Sequence, residues 1–193
     1  KDWGMDEPAH KRYLNDFFTG KHPGSDSRGE LYNDDPVTQD ARFCGTTASM
    51  CGIEAALFEK NDEKLERGIR EDLMLHAYML TQSGIPMLYS SDEVGRLNDY
   101  SYKDDPDKAA DSRYIHRGAF QWDLAKKRKS KTSVEGQIFQ TLSRMEQIRR
   151  QESVFDKDCD VYTYDVHDDS ILCILRQKGN ERFIGIFNFS DSE

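Results

Sequence analysis

The chain of 193 residues is polar, since 33% of its residues are charged, 36% are hydrophobic and the mean hydropathy is -0.84. A length of this order allows one domain or one and a half. The net charge of -9 argues against nucleic acid or an anionic membrane as the main partner. The basic run AKKRKSK at 125–131 has no interleaved aromatic residues and is interpreted as a solvated loop.

Two helices and a long connection are predicted in the first part of the chain. Residues 8–20 carry aromatic and aliphatic side chains at helical spacing. The connection over 21–42 is dense in Gly, Pro, Asp, Asn and Ser, and so long a connection is usually functional or disordered. Residues 46–58 are small and apolar and predict a closely packed helix. We expect Cys44 and Cys51, seven positions apart, on one face of that helix.

A long helix and a strand are predicted over the next thirty or so residues. The helix begins after Asn61, a capping type of residue, and runs to about residue 83. His76 lies on its apolar stripe and is interpreted as a packed, hydrogen-bonded histidine. Residues 85–89 predict a buried strand, and a helix that runs into a strand through a short turn is half of a βαβ unit.

Two adjacent carboxylates, Asp92 and Glu93, follow this predicted strand. In α/β folds the chemistry gathers at the carboxyl ends of parallel strands. The loop beyond adds Asn98, Asp99, the acids of 104–111 and Arg113. From spacing alone these residues are a carboxylate pair for acid–base work, an oxygen-rich cation site or a solvated acidic loop. Adjacent side chains point in different directions, and the acids lack the spacing of an EF-hand loop.

The last part of the chain predicts a helix followed by antiparallel strands. The helix covers 134–151, and the linkers between the β segments, HDD and KGNE, are typical of hairpins. Cys159 and Cys173 fall in separate predicted strands, a placement that allows a disulfide between them. The three β segments are 159–166, 170–177 and 182–189.

Several motifs, in order, resemble the α-amylase superfamily. GIPMLYSSDEVG at 84–95 resembles the end of the eighth barrel strand in that superfamily. The segment 13–54 is similar to the insert and helix after the seventh strand in the amylosucrase-like, sucrose-acting branch. LND at 97–99 and DSRYIHRGAF at 111–120 resemble that branch's loop after the eighth strand, and 136–155 resembles the last barrel helix. The resemblance covers nearly the whole chain.

The resemblance implies an α/β fold with two domains. Residues 1–152 are expected to form the C-terminal portion of a (β/α)8 TIM barrel, mostly helical with the last barrel strand. Residues 153–193 are expected to begin a truncated antiparallel β domain. The family's retaining reaction needs an Asp nucleophile, a Glu acid/base and a stabilising Asp. The first two motifs do not occur in the sequence and the third would precede Lys1, so no catalytic residue is assigned. Both ends of the chain are expected to be cut.

Three arginines carry the substrate contacts that the resemblance implies. Arg113 matches the family's arginine at the glucosyl unit, whose partner, a pocket aspartate, is expected to be missing. Arg42 begins the Arg-x-x-Gly-Thr pattern and matches an arginine on the fructosyl or acceptor side. Arg28 is expected to line the acceptor channel. A guanidinium suits such positions because its planar fork can hold a carboxylate and sugar hydroxyls together. The alternatives are a plain surface arginine or a structural salt bridge.

The resemblance also implies that the acids of 92–93 support the pocket from behind the residues that touch the substrate. Asp92 and Glu93 are expected to tie the last strand to its loops and to adjoining arginines. Ser91 stands where the family usually has glycine, so the path of the backbone is expected to differ slightly there.

The expected function is that of a fragment of a retaining α-glucosidase or glucosyltransferase acting on sucrose or α-glucans, inactive alone. Carbohydrate is the expected partner, with self-association through an orphan strand edge, and a cytoplasmic location is favoured. No cofactor, metal, nucleic acid or membrane is implied. The alternative is a stand-alone carbohydrate-binding or interaction module, although Trp3 and Trp122 are isolated. A metal-dependent hydrolase using the acids of 99–111 is a third, weaker hypothesis.

Overall fold

The computed structural model describes residues 4, 6–35, 37–38 and 41–190, so that Trp3 lies outside the described part. The helices are α1 (Glu7–Phe18), α2 (Thr47–Met50), α3 (Ile53–Glu59), α4 (Asp62–Thr81), α5 (Trp122–Lys126) and α6 (Val134–Gln151). The strands are β1 (Glu30–Tyr32), β2 (Arg42–Cys44), β3 (Asp160–Tyr164), β4 (Ile171–Lys178) and β5 (Glu181–Asn188). Short 3-10 helices occur at Asp92–Val94, Tyr100–Asp104, Ser112–His116, Lys127–Lys129 and Ser153–Phe155.

The chain is mixed α/β and divides into two compact units. The first unit contains the described residues of 1–72 and 89–138, and the second contains those of 73–88 and 139–190. Among the described residues, every helix is too short or too polar to span a lipid bilayer.

Helix α1 forms where the sequence predicts it. Asp6 caps its first turn by accepting a hydrogen bond from the backbone N–H of Ala9, at 3.2 Å, and Pro8 lies in that turn, where a missing N–H costs nothing. Gly20 follows the last turn with φ +71°, a conformation that stops the helix and that glycine adopts without strain.

The single helix predicted over 46–58 is wrong. The chain forms α2 and α3 there, and they are separated by Gly52, whose φ of +83° interrupts the helical path. Cys44 lies in β2 and Cys51 lies between the two helices, so the two thiols do not share a helix face. The small residues of this segment pack as expected, since Ala48, Ile53 and their neighbours are buried.

The two long helices, α4 and α6, form where the apolar periodicity of the sequence predicts them. The side-chain oxygen of Asn61 accepts from the backbone N–H of Lys64 at 3.1 Å and so caps α4. At the other end, the guanidinium of Arg149 in α6 donates to the backbone carbonyls of Leu80, Gln82 and Gly84. Arg149 therefore satisfies the Leu80 carbonyl, which the end of the helix leaves without an intrahelical donor, and the carbonyls of Gln82 and Gly84 in the turn that follows.

The strand predicted at 85–89 is not formed. The segment is extended, but none of the described strands pairs with it. Its side chains alternate in exposure: Pro86 and Leu88 are partly covered, whereas Ile85 and Met87 are 92% and 81% exposed. A strand needs a hydrogen-bonded neighbour, and the described residues supply none here. The described residues therefore do not form a recognisable part of a TIM barrel.

The C-terminal strands form the predicted antiparallel meander, in the order β3-β4-β5. Gly179 and Asn180 make a two-residue hairpin turn between β4 and β5, with φ +58° at the glycine. On the inner face of the sheet, Ile174, Arg176 and Phe187 are buried, and the ring of Phe187 meets that of Tyr78 from α4 at 5.8 Å. All four cysteines are free thiols, so no disulfide joins Cys159 to Cys173.

Candidate functional site

Two segments far apart in the sequence meet in the first unit. The hairpin β1–β2 comes from the long Gly- and Asp-rich connection, and the 3-10 helix Ser112–His116 comes from the loop after the predicted strand. The hydroxyl of Ser112 donates to the carbonyl of Leu31 at 2.7 Å. The carboxylate of Glu30 accepts hydrogen bonds from the Tyr102 hydroxyl and the Lys103 ammonium. The hairpin is thereby fixed against the loop that carries Arg113.

Arg113 is held by Asp111, two residues earlier. Its Nε and Nη2 donate to the two carboxylate oxygens of Asp111, each at 2.8 Å, in the bidentate arrangement that suits a guanidinium. These hydrogen bonds lower the pKa of Asp111 to about 2. The face of the guanidinium lies over the ring of Tyr32, with its carbon 4.3 Å from the ring centroid. Asp111 is thus the carboxylate that holds Arg113 in this structure.

Arg42 lies beside the same tyrosine. In the β1–β2 register Arg42 is opposite Tyr32, and directly opposed residues of an antiparallel pair project from the same face. Arg113 and Arg42 therefore both neighbour Tyr32, Arg113 by stacking on its ring and Arg42 by strand pairing. Arg42 is exposed and lines an open cavity of about 500 Å3 together with residues of α1, among them Lys11 and Asn15.

Arg28 belongs to a different set of contacts. Its Nη1 donates to the carbonyl of its neighbour Ser27 at 3.0 Å, and its own carbonyl accepts from the side-chain amide of Asn98. Its backbone N–H donates to the carbonyl of Ser49 at 3.0 Å. The backbone of Arg28 is thus firmly positioned. Its contacts are not those of Arg113 or Arg42.

Asn98, which belongs to the LND motif, joins three segments. Its side-chain Oδ1 accepts from the backbone N–H of Thr46 at 2.9 Å, and its backbone N–H donates to the Ser49 hydroxyl at 2.9 Å. Its amide also reaches the carbonyl of Arg28. The Gly-Thr end of the Arg-x-x-Gly-Thr pattern and the LND motif therefore lie against each other. The signal for this contact was the LND motif itself, although the motif does not say what it bonds.

Asp92 and Glu93 serve local structure. A carboxylate oxygen of Asp92 accepts from the hydroxyl of Thr47 at 3.3 Å, which links it to α2, and Glu93 accepts from the backbone N–H of Ser91 at 2.8 Å. Ser91 has φ +83°, a left-handed conformation that favours glycine. This position therefore has a backbone conformation in which the family's glycine would be unstrained.

A buried arginine, Arg96, also lies in this loop and was missed by the sequence reasoning. It is 3% exposed, its Nη1 donates to the carbonyl of Gly118 at 2.6 Å, and its Nη2 lies 3.5 Å from a carboxylate oxygen of Asp99. A charge so deeply buried fixes the loop around it because it must keep its partners. Its run of neighbours, VGRLND, gives no signal that the arginine is inside.

His116 and Tyr89 contact each other through their rings. Their rings meet edge to face, with centroids 5.4 Å apart. Burial lowers the pKa of His116, and the nearby Arg117 lowers it further. The imidazole is therefore neutral at pH 7 and can accept or donate a hydrogen bond without carrying charge.

This arrangement is suited to binding a polar, hydroxylated molecule. The guanidinium of Arg113, the Asp111 carboxylate and the ring of Tyr32 supply charged donors, an acceptor and an apolar face at one place, and Arg42 is paired with Tyr32 in the hairpin. No set of three or more His, Cys, Asp or Glu side chains suited to a metal ion occurs in the described part of the chain. Compared with models of known protein families, the chain matches none.

Proposed function

We propose that this chain is the C-terminal part of a retaining α-glucosidase or glucosyltransferase that acts on sucrose or α-glucans. The observation that carries the proposal is that Arg113 packs on Tyr32, the residue that pairs with Arg42 across the β1–β2 hairpin. These residues come from the two segments that resemble the amylosucrase-like loops after barrel strands seven and eight. In the proposed enzyme this group forms one wall of the sugar pocket, and the reacting carboxylates are contributed by residues ahead of Lys1.

The exposed segment 85–89 supports the same proposal. In a (β/α)8 barrel the last strand has helices on its outer side and the barrel interior on the other. Pro86 and Leu88 line one cavity with residues of α6, whereas Ile85 and Met87 are almost fully exposed. A strand removed from a barrel keeps this alternation and lacks its hydrogen-bonded neighbours. The free thiols are the state expected in the cytoplasm, where we place the enzyme.

The chemistry of the proposed enzyme needs groups that arginines cannot replace. Retention requires a carboxylate nucleophile and a carboxyl proton donor about 5 Å apart. Arg113 can hold the glucosyl hydroxyls and stabilise nearby negative charge, but it neither attacks the anomeric carbon nor protonates the leaving oxygen. The chain alone is therefore proposed to be inactive.

The test is an assay of glucose and fructose release from sucrose. We expect no release by the 193-residue chain and clear release when it is joined to the residues encoded ahead of Lys1. Release by the chain alone would contradict the assignment of the reacting acids to another segment. A joined protein inactive on sucrose and on maltooligosaccharides would contradict the glucosidase proposal itself.

Within the joined protein, Arg113→Lys tests the proposed wall of the pocket. A lysine keeps the charge but loses the planar fork, so we expect kcat/KM to fall by about tenfold or more. The matched control is Arg144→Lys on the exposed surface of α6, which should leave kcat/KM unchanged.

A stand-alone carbohydrate-binding module is the second candidate, favoured by one observation. Trp122 is mostly exposed, and its ring lies 4.7 Å from that of Phe120, so an apolar platform is available to a sugar ring. Calorimetric titration with maltooligosaccharides decides this point. Tight binding that Trp122→Ala abolishes would favour the binding module over the enzyme fragment.

A further inference from the structure

The outer face of the β3–β5 sheet is apolar over most of its length and polar at one end. It is exposed along the outer strands β3 and β5, whereas Cys173 on the central strand is buried. Cross-strand partners place three rows of side chains on this face. One row is charged and polar, and the other two combine tyrosines with aliphatic residues and a cysteine. The rows are Asp160–Gln177–Arg182, Tyr162–Leu175–Ile184 and Tyr164–Cys173–Ile186.

The two faces of the sheet are covered very differently. The inner face carries Arg176, Ile174 and Phe187, which are buried. On the outer face Ile184 and Ile186 remain 61% and 68% exposed, and both tyrosines are about half exposed. An apolar patch of this kind approaches the roughly 300–600 Å2 of the largest patch on a typical monomer, and patches of that size mark interaction sites.

We propose that this outer face is the interface of a two-fold symmetric dimer of the chain, formed by packing one sheet on the other. Aligned sheets pack face to face about 10 Å apart, with their side chains interdigitated. A two-fold axis parallel to the central strand β4 turns β3 of one copy onto β5 of its partner. Each row then lies over the same row of the other copy, because rotation about this axis does not move residues along the strands.

This geometry makes the face complementary to itself. Asp160 on β3 of one copy lies opposite Arg182 on β5 of the other, and the symmetry repeats this pair. The same rotation sets Tyr162 over Ile184 and pairs the tyrosine and isoleucine of the last row. A two-fold interface requires a surface that is complementary to itself. Opposite charges at the two ends of one row provide this complementarity.

The extent of the face also fits a second copy. It presents four side chains that are each 46–68% exposed, Tyr162, Tyr164, Ile184 and Ile186, and a stacked second copy would cover all four at once. Aliphatic side chains dominate the half of the face on β5, and a sheet stacked on them excludes water from them. This inference does not depend on the proposed enzyme activity.

The first experiment is sedimentation velocity on the full chain at micromolar concentration. We expect a species of twice 22.4 kDa that dissociates on dilution. The double substitution Ile184→Lys/Ile186→Lys should raise the dissociation constant by about tenfold or more, because lysines would be buried at the interface. The matched control, Val161→Lys/Thr163→Lys, adds the same charge on the other side of β3, where both residues are exposed, and should leave the dimer intact.

Charge reversal tests the two-fold arrangement itself. Asp160→Arg and Arg182→Asp should each weaken the dimer, since each places like charges opposite one another. The two substitutions together restore opposite charges and should restore the dimer. Far-UV circular dichroism and a thermal melt establish that each variant is folded.

Several outcomes would overturn the proposal. They are a monomer at every concentration, a dimer that persists in the folded Ile184→Lys/Ile186→Lys variant, or a double charge reversal that fails to recover association. Loss of association in Ile85→Lys/Met87→Lys alone would assign the contact to segment 85–89 instead. A monomer whose binding to maltooligosaccharides is lost in the Ile184→Lys/Ile186→Lys variant would assign the face to sugar.

Discussion

Arg176 in the C-terminal sheet and Arg113 in the loop region use the same side chain in opposite settings. Arg176 is 1% exposed, and its Nε and Nη1 donate to the carbonyls of Val154 and Thr81, each at 2.8 Å. Its Nη2 donates to the sulfur of Cys159 at 2.7 Å. Arg113, by contrast, is partly exposed and pairs with a carboxylate.

The difference shows how burial decides what an arginine does. A buried guanidinium without ready access to water must take its acceptors from the chain, so Arg176 binds several segments of the second unit to one another. An exposed guanidinium held on one side by Asp111 keeps a face and an edge near solvent. Only the second kind is available to a ligand, which is why the proposed sugar contact lies at Arg113.

The largest expected effect is that of Arg176→Leu. Removal of the guanidinium leaves the carbonyls of Val154 and Thr81 buried without their donor, so we expect the free energy of unfolding to fall by about 3 kcal/mol. Urea unfolding followed by circular dichroism measures this loss. Arg113→Leu is the matched substitution at the exposed arginine and should cause a much smaller change. Equal losses at the two positions would contradict the distinction drawn between them.

Gly118→Ala tests the buried arginine of the loop region. A Cβ at this position would lie 2.1 Å from Nη2 of Arg96 and 2.3 Å from Oδ2 of Asp99, so the buried pair must move. We expect a loss of about 1–3 kcal/mol in the free energy of unfolding, the usual cost of overpacking. Gly45→Ala is the milder comparison and should cost less, because its nearest contacts would be 3.3–3.4 Å away and its neighbours need move only slightly. A Gly118→Ala variant as stable as the parent chain would show that Arg96 is not held tightly.

The elements that were correctly predicted depend on local sequence. Helices α1, α4 and α6 follow apolar periodicity and capping residues, and the meander β3–β5 follows strand patterns joined by short turns. Segment 85–89 has an equally strong apolar pattern, but a strand there needs a partner far away in sequence. The hairpin β1–β2 was missed because its strands are only three residues long and lie in a polar, turn-rich connection.

For the candidate site, the sequence supplied the residues but not their arrangement. Arg113 and Arg42 were named from the resemblance, whereas Tyr32, which neighbours both, was not. Asp111 was noted among the loop acids, yet its pairing with Arg113 follows from the turn that Asp111 caps. The contacts of Asn98 join it to residues 49–70 positions away. Hydrogen bonds over such distances leave no periodic signal in a sequence.

A smaller effect is expected on the titration of Asp111. Hydrogen bonds from Arg113 lower its pKa to about 2, so Arg113→Ala should raise that pKa toward the ordinary value of about 3.9. Because the pKa is lower in the folded protein than in the unfolded chain, the stabilisation is present above about pH 4. It is lost as the pH falls through about 2. Carboxyl NMR titration measures the shift. Asp168, whose pKa is lowered by Ser170, is the internal control and should not respond.

The smallest expected effect concerns His116 and the ring that covers it. Burial lowers the pKa of His116, so in the window between its folded pKa and about 6.5 the unfolded chain binds more protons than the folded protein. Stability therefore falls as the pH drops through that window. Tyr89→Ala should raise the pKa of His116 toward 6.5 and weaken this pH dependence, because the ring at 5.4 Å no longer excludes water.

Imidazole NMR titration of His116 measures the shift, and unfolding experiments on both sides of the window measure the slope. Tyr13→Ala is the control, because Tyr13 contacts a different histidine, His22, with ring centroids 5.0 Å apart. If Tyr89→Ala left the pKa of His116 unchanged while Arg117→Gln raised it, the guanidinium and not burial would be the main cause of the lowered pKa. The pKa of His116 would then be set mainly by a neighbouring charge, as that of Asp111 is by Arg113. Burial, which decides the contacts of Arg176, would have only a minor influence on it.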